Sequence, residues 1–233
     1  MLSAILSDVR AVKDRDPAAR TTAEVLLCYP GLHAVWGHRI THWLWHHNAK
    51  LPARFLAEII RKVTGVEIHP GAVLGSGVFI DHATGVVIGE TTEVGDNVTI
   101  YQGVTLGGTS LGHGKRHPTI EDNVTIGAGA KVLGAITIGE GSQIGSNSVV
   151  IKPVPAGAVV VGVPGQVVDR GKPVAHEGRT ESDQSKLPDP LGVSLQSLLT
   201  RVTKLEARDG APQSSGAIRP PEAGVWHGED FVI

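Results

Sequence analysis

An aliphatic residue returns at almost every sixth position between Ile68 and Val150, and few folds can use such a count. The series runs Ile68, Leu74 and Ile80, slips by two residues, and continues through Ile88, Val94, Ile100 and Leu106. After a break it resumes at Ile120, Ile126, Val132, Ile138, Ile144 and Val150. Three such hexads close one triangular coil of a left-handed parallel β-helix, hydrogen-bonded from coil to coil around a stacked aliphatic ladder. The residue four places after each aliphatic is small or β-branched: Ala72, Val78, Thr84, Thr92, Val98, Val104, Val124, Ala130, Ile136, Ser142, Ser148 and Val154. Both sets are expected to face inward. The residue directly after the aliphatic is often glycine (Gly75, Gly89, Gly95, Gly107, Gly127, Gly139, Gly145), which suits a tight corner.

Composition agrees with this reading and narrows the function. Thirty glycines and 4% aromatic residues in 233 favour repeated aliphatic stacking over a helix bundle. A formal charge of -2 gives no electrostatic footprint for nucleic acid or an anionic membrane, and no apolar run is long enough to span one. The single cysteine, Cys28, cannot form an intrachain disulfide and reads as a small buried hydrophobe beside Leu26 and Leu27. The start, MLSAILSDVRAVKDRD, lacks the apolar core and cleavage site of a secretory signal, so a cytoplasmic protein is expected.

The flanks of the repeat read differently. Leu32, Val35, Trp36, Ile40, Trp43 and Leu44 recur at three and four, as do Phe55, Leu56, Ile59, Ile60 and Val63, so residues 1–62 form a helical domain. Residues 63–170 form the β-helix. Residues 171–233 are polar and proline-broken and read as a largely disordered tail. Within it Leu191, Leu195, Leu198, Val202 and Leu205 spell a short amphipathic helix or coiled-coil seam at 191–205. The expected class is α+β: a helical N-terminal domain, a left-handed β-helix and a flexible C-terminal tail.

A β-helix by itself names no chemistry, so the polar residues that interrupt the coil must supply it. They are Glu67, the pair Asp81 and His82, and Arg116 with His117 in a loop thrown out between Leu106 and Ile120. A loop that leaves its own coil carries groups elsewhere, and parallel packing of three prisms leaves clefts where residues of two chains converge.

Several stretches together resemble the serine O-acetyltransferases, hexapeptide-repeat enzymes that make O-acetylserine for cysteine synthesis. They are RDPAA at 15–19, RITHWLW at 39–45, IHPGA at 68–72, DHATGVVIGET at 81–91, YQGVTLGGT at 101–109, KRHPTI at 115–120, IGAGAKVLG at 126–134 and GVP at 162–164. The resemblance implies that His82 is the general base and that Glu67, where many relatives carry Asp, is the carboxylate orienting it. An imidazole, with an ordinary pKa of about 6.5, is suited to that work near neutrality. It further implies that Asp16 and Asp81 bind the ammonium of L-serine and that Arg116 and His117 hold its carboxylate. Acetyl-CoA, as co-substrate and not as a bound cofactor, would lie against Gly108, Thr109, Ala128 and Ser146. Relatives often carry alanine at the last of these and a basic residue where Gln166 stands here. L-Cysteine is the implied feedback inhibitor, and a homotrimer or dimer of trimers the implied assembly. The C-terminal Ile233 is implied to insert into O-acetylserine sulfhydrylase, the next enzyme of the pathway. No metal is implied.

Other readings compete. His69, His82, His113 and His117 supply enough imidazoles for a zinc enzyme of the γ-carbonic anhydrase type, and His38, His42 and His46 stand at i, i+4 spacing. Homoserine is a second acceptor that composition does not separate from serine. A non-catalytic scaffold docking a partner through its tail is the third alternative.

Overall fold

The computed structural model describes residues 2–168 and, beyond them, 197–202 and 204. Two units divide the chain, Met1–Pro188 and Asp189–Ile233. In the second, residues 197–202 are helical and expose Leu198, Leu199 and Val202. Ile233 and the remainder of the seam expected at 191–205, apart from residue 204, lie outside the described residues.

The first unit opens with four helices: α1 (Leu2–Arg15), α2 (Thr22–Cys28), α3 (Pro30–His46) and α4 (Lys50–Thr64). Their ends follow local chemistry. The Thr21 hydroxyl accepts the Glu24 N–H and caps α2. Pro30 opens α3, where its missing N–H costs nothing, and Gly65, at φ 76°, closes α4 in the left-handed conformation.

Five coils follow. The first holds β1 (Glu67–Ile68), β2 (Val73–Leu74) and β3 (Phe79–Ile80), and the second β4 (Val87–Ile88), β5 (Glu93–Val94) and β6 (Thr99–Ile100). The third holds β7 (Thr105–Gly107), β8 (Thr119–Ile120) and β9 (Thr125–Ile126), and the fourth β10 (Lys131–Leu133), β11 (Thr137–Ile138) and β12 (Gln143–Ile144). The last holds β13 (Val149–Val150) and β14 (Val159–Val161), against which β15 (Gln166–Val168) folds back antiparallel. Like strands stack in parallel into three faces: β1-β4-β7-β10-β13, β2-β5-β8-β11, and β3-β6-β9-β12-β14. We call these the first, second and third faces.

The count of six makes the core. Ile88, Ile100, Leu106, Ile120, Ile126 and Ile138 are almost wholly buried, and Val98, Val104, Val124 and Ala130 fill between them. At about 25 cal/mol per Å² of apolar surface removed from water, this ladder is the main favourable contribution to the coil. Leu74 and Ile136 are only partly buried, and Thr84 is exposed. The two extra residues before Val87 turn Thr84 outward, and Ala83 and Val86 take the inward places.

The corner glycines work otherwise than expected. The left-handed position is the third residue after the aliphatic, filled by Gly77, Asn97, Asn123 and Gly141 between the second and third faces and by Gly103, Gly129 and Asn147 between the third and first. The glycine directly after the aliphatic answers a packing demand instead: a Cβ at Gly75 would stand 2.7 Å from the Gly95 carbonyl group of the next coil.

The helices dock on the first coil without clearance. A Cβ at Gly31 would overlap the Ile80 carbonyl oxygen, so the first turn of α3 rests on the backbone of β3. Asp8, wholly buried, accepts from the Arg39 guanidinium at 2.9–3.2 Å and from the Gly77 N–H at 3.0 Å. Arg39 also donates to the Gly75 carbonyl at 3.1 Å. This buried pair is fully hydrogen-bonded, the condition under which such a pair is tolerated, and it ties α1, α3 and one coil corner together.

One expectation is corrected in this region. Cys28 is exposed, because α2 is seven residues long and buries only Val25. Ile40 and Trp43 are also exposed, as are Leu51, Phe55, Ile59 and Val63, which stand four residues apart along α4. The apolar periodicity therefore marks a stripe that a single chain leaves uncovered.

Candidate active site

The polar interruptions gather at two corners of the prism. Asp81 and His82 lie where the chain passes from the third face to the first, in the corner lengthened by two residues. His82 and Ala83 both adopt positive φ there, 56° and 54°. Left-handed backbone at non-glycine residues is costly and concentrates at functional sites. Its effect here is to lift an exposed imidazole clear of the coil.

Asp81 accepts the His82 N–H at 2.9 Å, and its other oxygen stands 3.9 Å from His82 Nε2. Asp16 approaches from the turn after α1. Its Oδ1 accepts the Ala18 N–H at 2.8 Å and its Oδ2 accepts the Tyr29 hydroxyl at 2.6 Å. Burial holds the Asp81 carboxyl above its ordinary range, His82 pulling against this and the charge of Asp16 adding to it. Tyr29 is pushed up to about 12, by burial first and then by its bond to Asp16 and that group's charge. Two carboxylates that repel one another, beside a phenol that keeps its proton, make a place for one cation.

Arg116 and His117 lie a whole face away, where the chain passes from the first face to the second. The Thr91 hydroxyl oxygen accepts the N–H of Arg116 at 3.0 Å and of His117 at 3.1 Å. It lies 2.9 Å from His117 Nδ1, which also accepts the Thr91 N–H at 3.2 Å. With Nδ1 an acceptor, the ring proton of neutral His117 falls on Nε2. Burial, then Arg116, lowers the pKa of His117 and keeps it neutral. Glu90 bonds Arg116 at 2.5 Å, which holds the Glu90 carboxyl below its usual range. The ring of His117 lies directly on Gly89, whose missing side chain makes room for it. His69 stands near the same corner, its Nδ1 accepting the Gly71 N–H at 3.0 Å and its pKa lowered to about 4, first by burial and then by Arg54.

The remaining expected residues divide in the same way. Gly108 and Thr109 begin the loop at the Arg116 corner, whereas Ala128 and Ser146 sit on lower coils beneath His82. Glu67 is exposed on β1, in a shallow hollow with Arg54, Glu58, Arg61 and His69. Among the described residues no hydrogen bond or ion pair joins it to His82, and the carboxylate in contact with that ring is Asp81. His38 is buried with its pKa lowered to about 3, chiefly by burial; its ring lies tilted against His42, which in turn meets His46 edge to face. Among the described residues no three His, Cys, Asp or Glu side chains gather into a group that could hold a metal ion. None of their helices is long and apolar enough to cross a membrane.

Three contributors were not singled out from sequence: Tyr29, Glu90 and Thr91. Glu90 and Thr91 close the stretch DHATGVVIGET and entered the sequence reading only as part of that resemblance, without a role of their own. Tyr29 carried no signal, since its partner Asp16 lies in the turn after α1, separated from it by the whole of α2.

Comparison with known proteins bears on the family and the fold. Residues 1–36 match the family described as serine acetyltransferase, N-terminal, and residues 117–152 the bacterial transferase hexapeptide (six repeats). A serine acetyltransferase of Mycobacterium tuberculosis is 64% identical over 233 residues, covering 100% of both chains. A crystal structure of Neisseria gonorrhoeae serine acetyltransferase in complex with serine superposes with a TM-score of 0.70 at 46% identity, covering 72% of this chain and 69% of that one. A serine acetyltransferase in complex with cysteine gives 0.71 at 46% identity, over 72% and 70%. The repeat, the helical cap docked on its first coil and the end-to-end identity lead to one conclusion: this chain belongs to the serine acetyltransferase family.

Proposed function

We infer that this chain transfers the acetyl group of acetyl-CoA to the hydroxyl of L-serine, giving O-acetyl-L-serine and CoA. One observation carries the reading: a carboxylate pair beside an exposed imidazole occupies one corner, and an arginine with a neutral histidine occupies the next. An ammonium, a hydroxyl to be deprotonated and a carboxylate are the groups such halves would hold, and L-serine has all three.

In this mechanism Asp16 and Asp81 take the ammonium, and Arg116 with the Nε2–H of His117 takes the carboxylate. His82 removes the hydroxyl proton as that oxygen attacks the thioester carbonyl. The C–S bond breaks as the tetrahedral adduct collapses, and the proton on His82 leaves with the CoA sulfur. Glu67 on β1 and Asp81 are the carboxylates available to steady the imidazolium. Acetyl-CoA lies along Gly108, Thr109, Ala128 and Ser146, where small side chains let backbone amides approach.

The two halves stand a face apart in one chain, so the complete site forms between chains: the His82 corner of one prism meets the Arg116 corner of its neighbour. A homotrimer closes this contact by threefold rotation. The uncovered stripe of Leu51, Phe55, Ile59 and Val63 supports further apolar contact, as in a dimer of trimers. The division into residues 1–62, 63–170 and 171–233 assigns chemistry to the first two and partner binding to the third. The compartment is the cytoplasm, where the exposed Cys28 stays reduced.

The test is thiol release from acetyl-CoA with L-serine, L-homoserine, L-threonine and a sugar as acceptors. Serine is expected to exceed the others by at least tenfold in kcat/KM, and a preference for homoserine would reassign the acceptor.

L-Cysteine shares serine's ammonium and carboxylate, so the same groups hold it. Its inhibition is expected to be competitive with serine and to weaken by about tenfold or more in Arg116→Ala, the loss of a hydrogen-bonded charge. Inhibition that rising serine does not relieve would require a separate cysteine site.

The C-terminal Ile233 is proposed to anchor in O-acetylserine sulfhydrylase, with a terminal carboxylate caught by backbone donors and an aliphatic side chain in a pocket. Deleting Ile233 is expected to abolish co-elution of the two enzymes while acetyl transfer continues. Undiminished co-elution would remove Ile233 from the partnership.

A further inference from the structure

We propose that Tyr29 is a positioning residue for the acceptor's ammonium, holding the Asp16 carboxylate in the orientation that faces Asp81. The proposal rests on the assignment of that carboxylate pair to the substrate's amine. Tyr29 sits between α2 and α3, with φ -105° and ψ 93°. Pro30 behind it excludes the helical region for the preceding residue, so the backbone of Tyr29 is extended. Gly31 then seats the next turn on the Ile80 carbonyl, one residue before Asp81. The three residues Tyr29, Pro30 and Gly31 thus fix the phenol against the end of β3. Its ring is partly buried beside the cluster of Val12, Val25, Leu32 and Phe79.

From that fixed base the hydroxyl reaches Asp16 Oδ2 at 2.6 Å, while the Ala18 N–H holds Oδ1. Both oxygens of Asp16 are therefore held by donors from its own surroundings. A carboxylate on a turn would otherwise rotate away from Asp81, since like charges repel. The phenol opposes that rotation and satisfies one oxygen without neutralising it, so the pair keeps its attraction for an incoming ammonium. Losing a hydrogen bond to a charged group corresponds to about tenfold or more in affinity.

The experiment compares wild type, Tyr29→Phe, Asp16→Asn and the double variant by steady-state kinetics and by calorimetric titration with L-serine. Circular dichroism and elution volume check that each is folded and assembled. Tyr29→Phe is expected to raise KM and Kd for L-serine about tenfold, with kcat within about threefold and KM for acetyl-CoA unchanged. In the Asp16→Asn background the same change is expected to have little further effect, because the phenol acts through that carboxylate. Equal effects of Tyr29→Phe in both backgrounds, or an unchanged serine KM in Tyr29→Phe alone, would overturn the proposal. A wild-type protein that turns over without preference for serine overturns the functional assignment itself, and the proposal with it.

Discussion

Replacing His82 by alanine is expected to lower kcat by about 10² to 10⁴, the range associated with losing a general base. The exposed ring stands on a corner whose backbone is held left-handed at two successive non-glycine residues, and it packs into no core. Removing it should therefore leave the coil and the assembly intact, which elution volume and thermal unfolding would verify. KM for both substrates should change little, because the imidazole acts on a proton in flight and not on the bound ground state. Turnover within about threefold of wild type would assign the base elsewhere.

Gly89→Ala is expected to reduce kcat/KM for L-serine by about 10- to 100-fold. The new Cβ would fall within the ring of His117, 2.9 Å from Cγ and nearer still to the far ring atoms. Gly89 has no positive φ, so alanine suits the backbone and the whole cost falls on the ring. His117 must leave Thr91, surrendering the contacts that fix its tautomer, and Arg116 beside it shifts with the loop. Forced repacking of this kind costs about 1–3 kcal/mol, which corresponds to the stated range. Inhibition by L-cysteine should weaken in parallel, with KM for acetyl-CoA altered less. Gly114→Ala provides the control, since a Cβ there meets nothing within 4 Å. Full activity in Gly89→Ala would mean that His117 does not need this seat.

The coil was legible because its signal is periodic and redundant. Each aliphatic in the ladder repeats the same statement, so a two-residue slip before Ile88 and a loop before Ile120 could be recognised as departures. The same departures named Asp81, His82, Arg116 and His117. The helical periodicity of α3 and α4 was equally readable, yet Ile40, Trp43 and Phe55 proved exposed. An apolar stripe declares that a face will be covered, without saying whether its own chain or another covers it. Corner glycines were misread for a related reason: Gly75 and Gly89 are chosen by what the next coil puts against them, a fact absent from local sequence.

The sequence by itself determined the triangular coil and the helical cap, because hydrophobic period is local along the chain, and its resemblance to the serine O-acetyltransferases named the residues proposed here to hold the acceptor. Tertiary structure alone decided which of those residues meet. Asp16 and Asp81 are brought together with Tyr29 by the docking of α3 on β3, and Arg116 and His117 are held by Glu90, Thr91 and Gly89 one coil earlier. Contacts between residues tens of positions apart depend on how many residues each coil consumes and on where the helices land, and those are properties of the closed, packed prism.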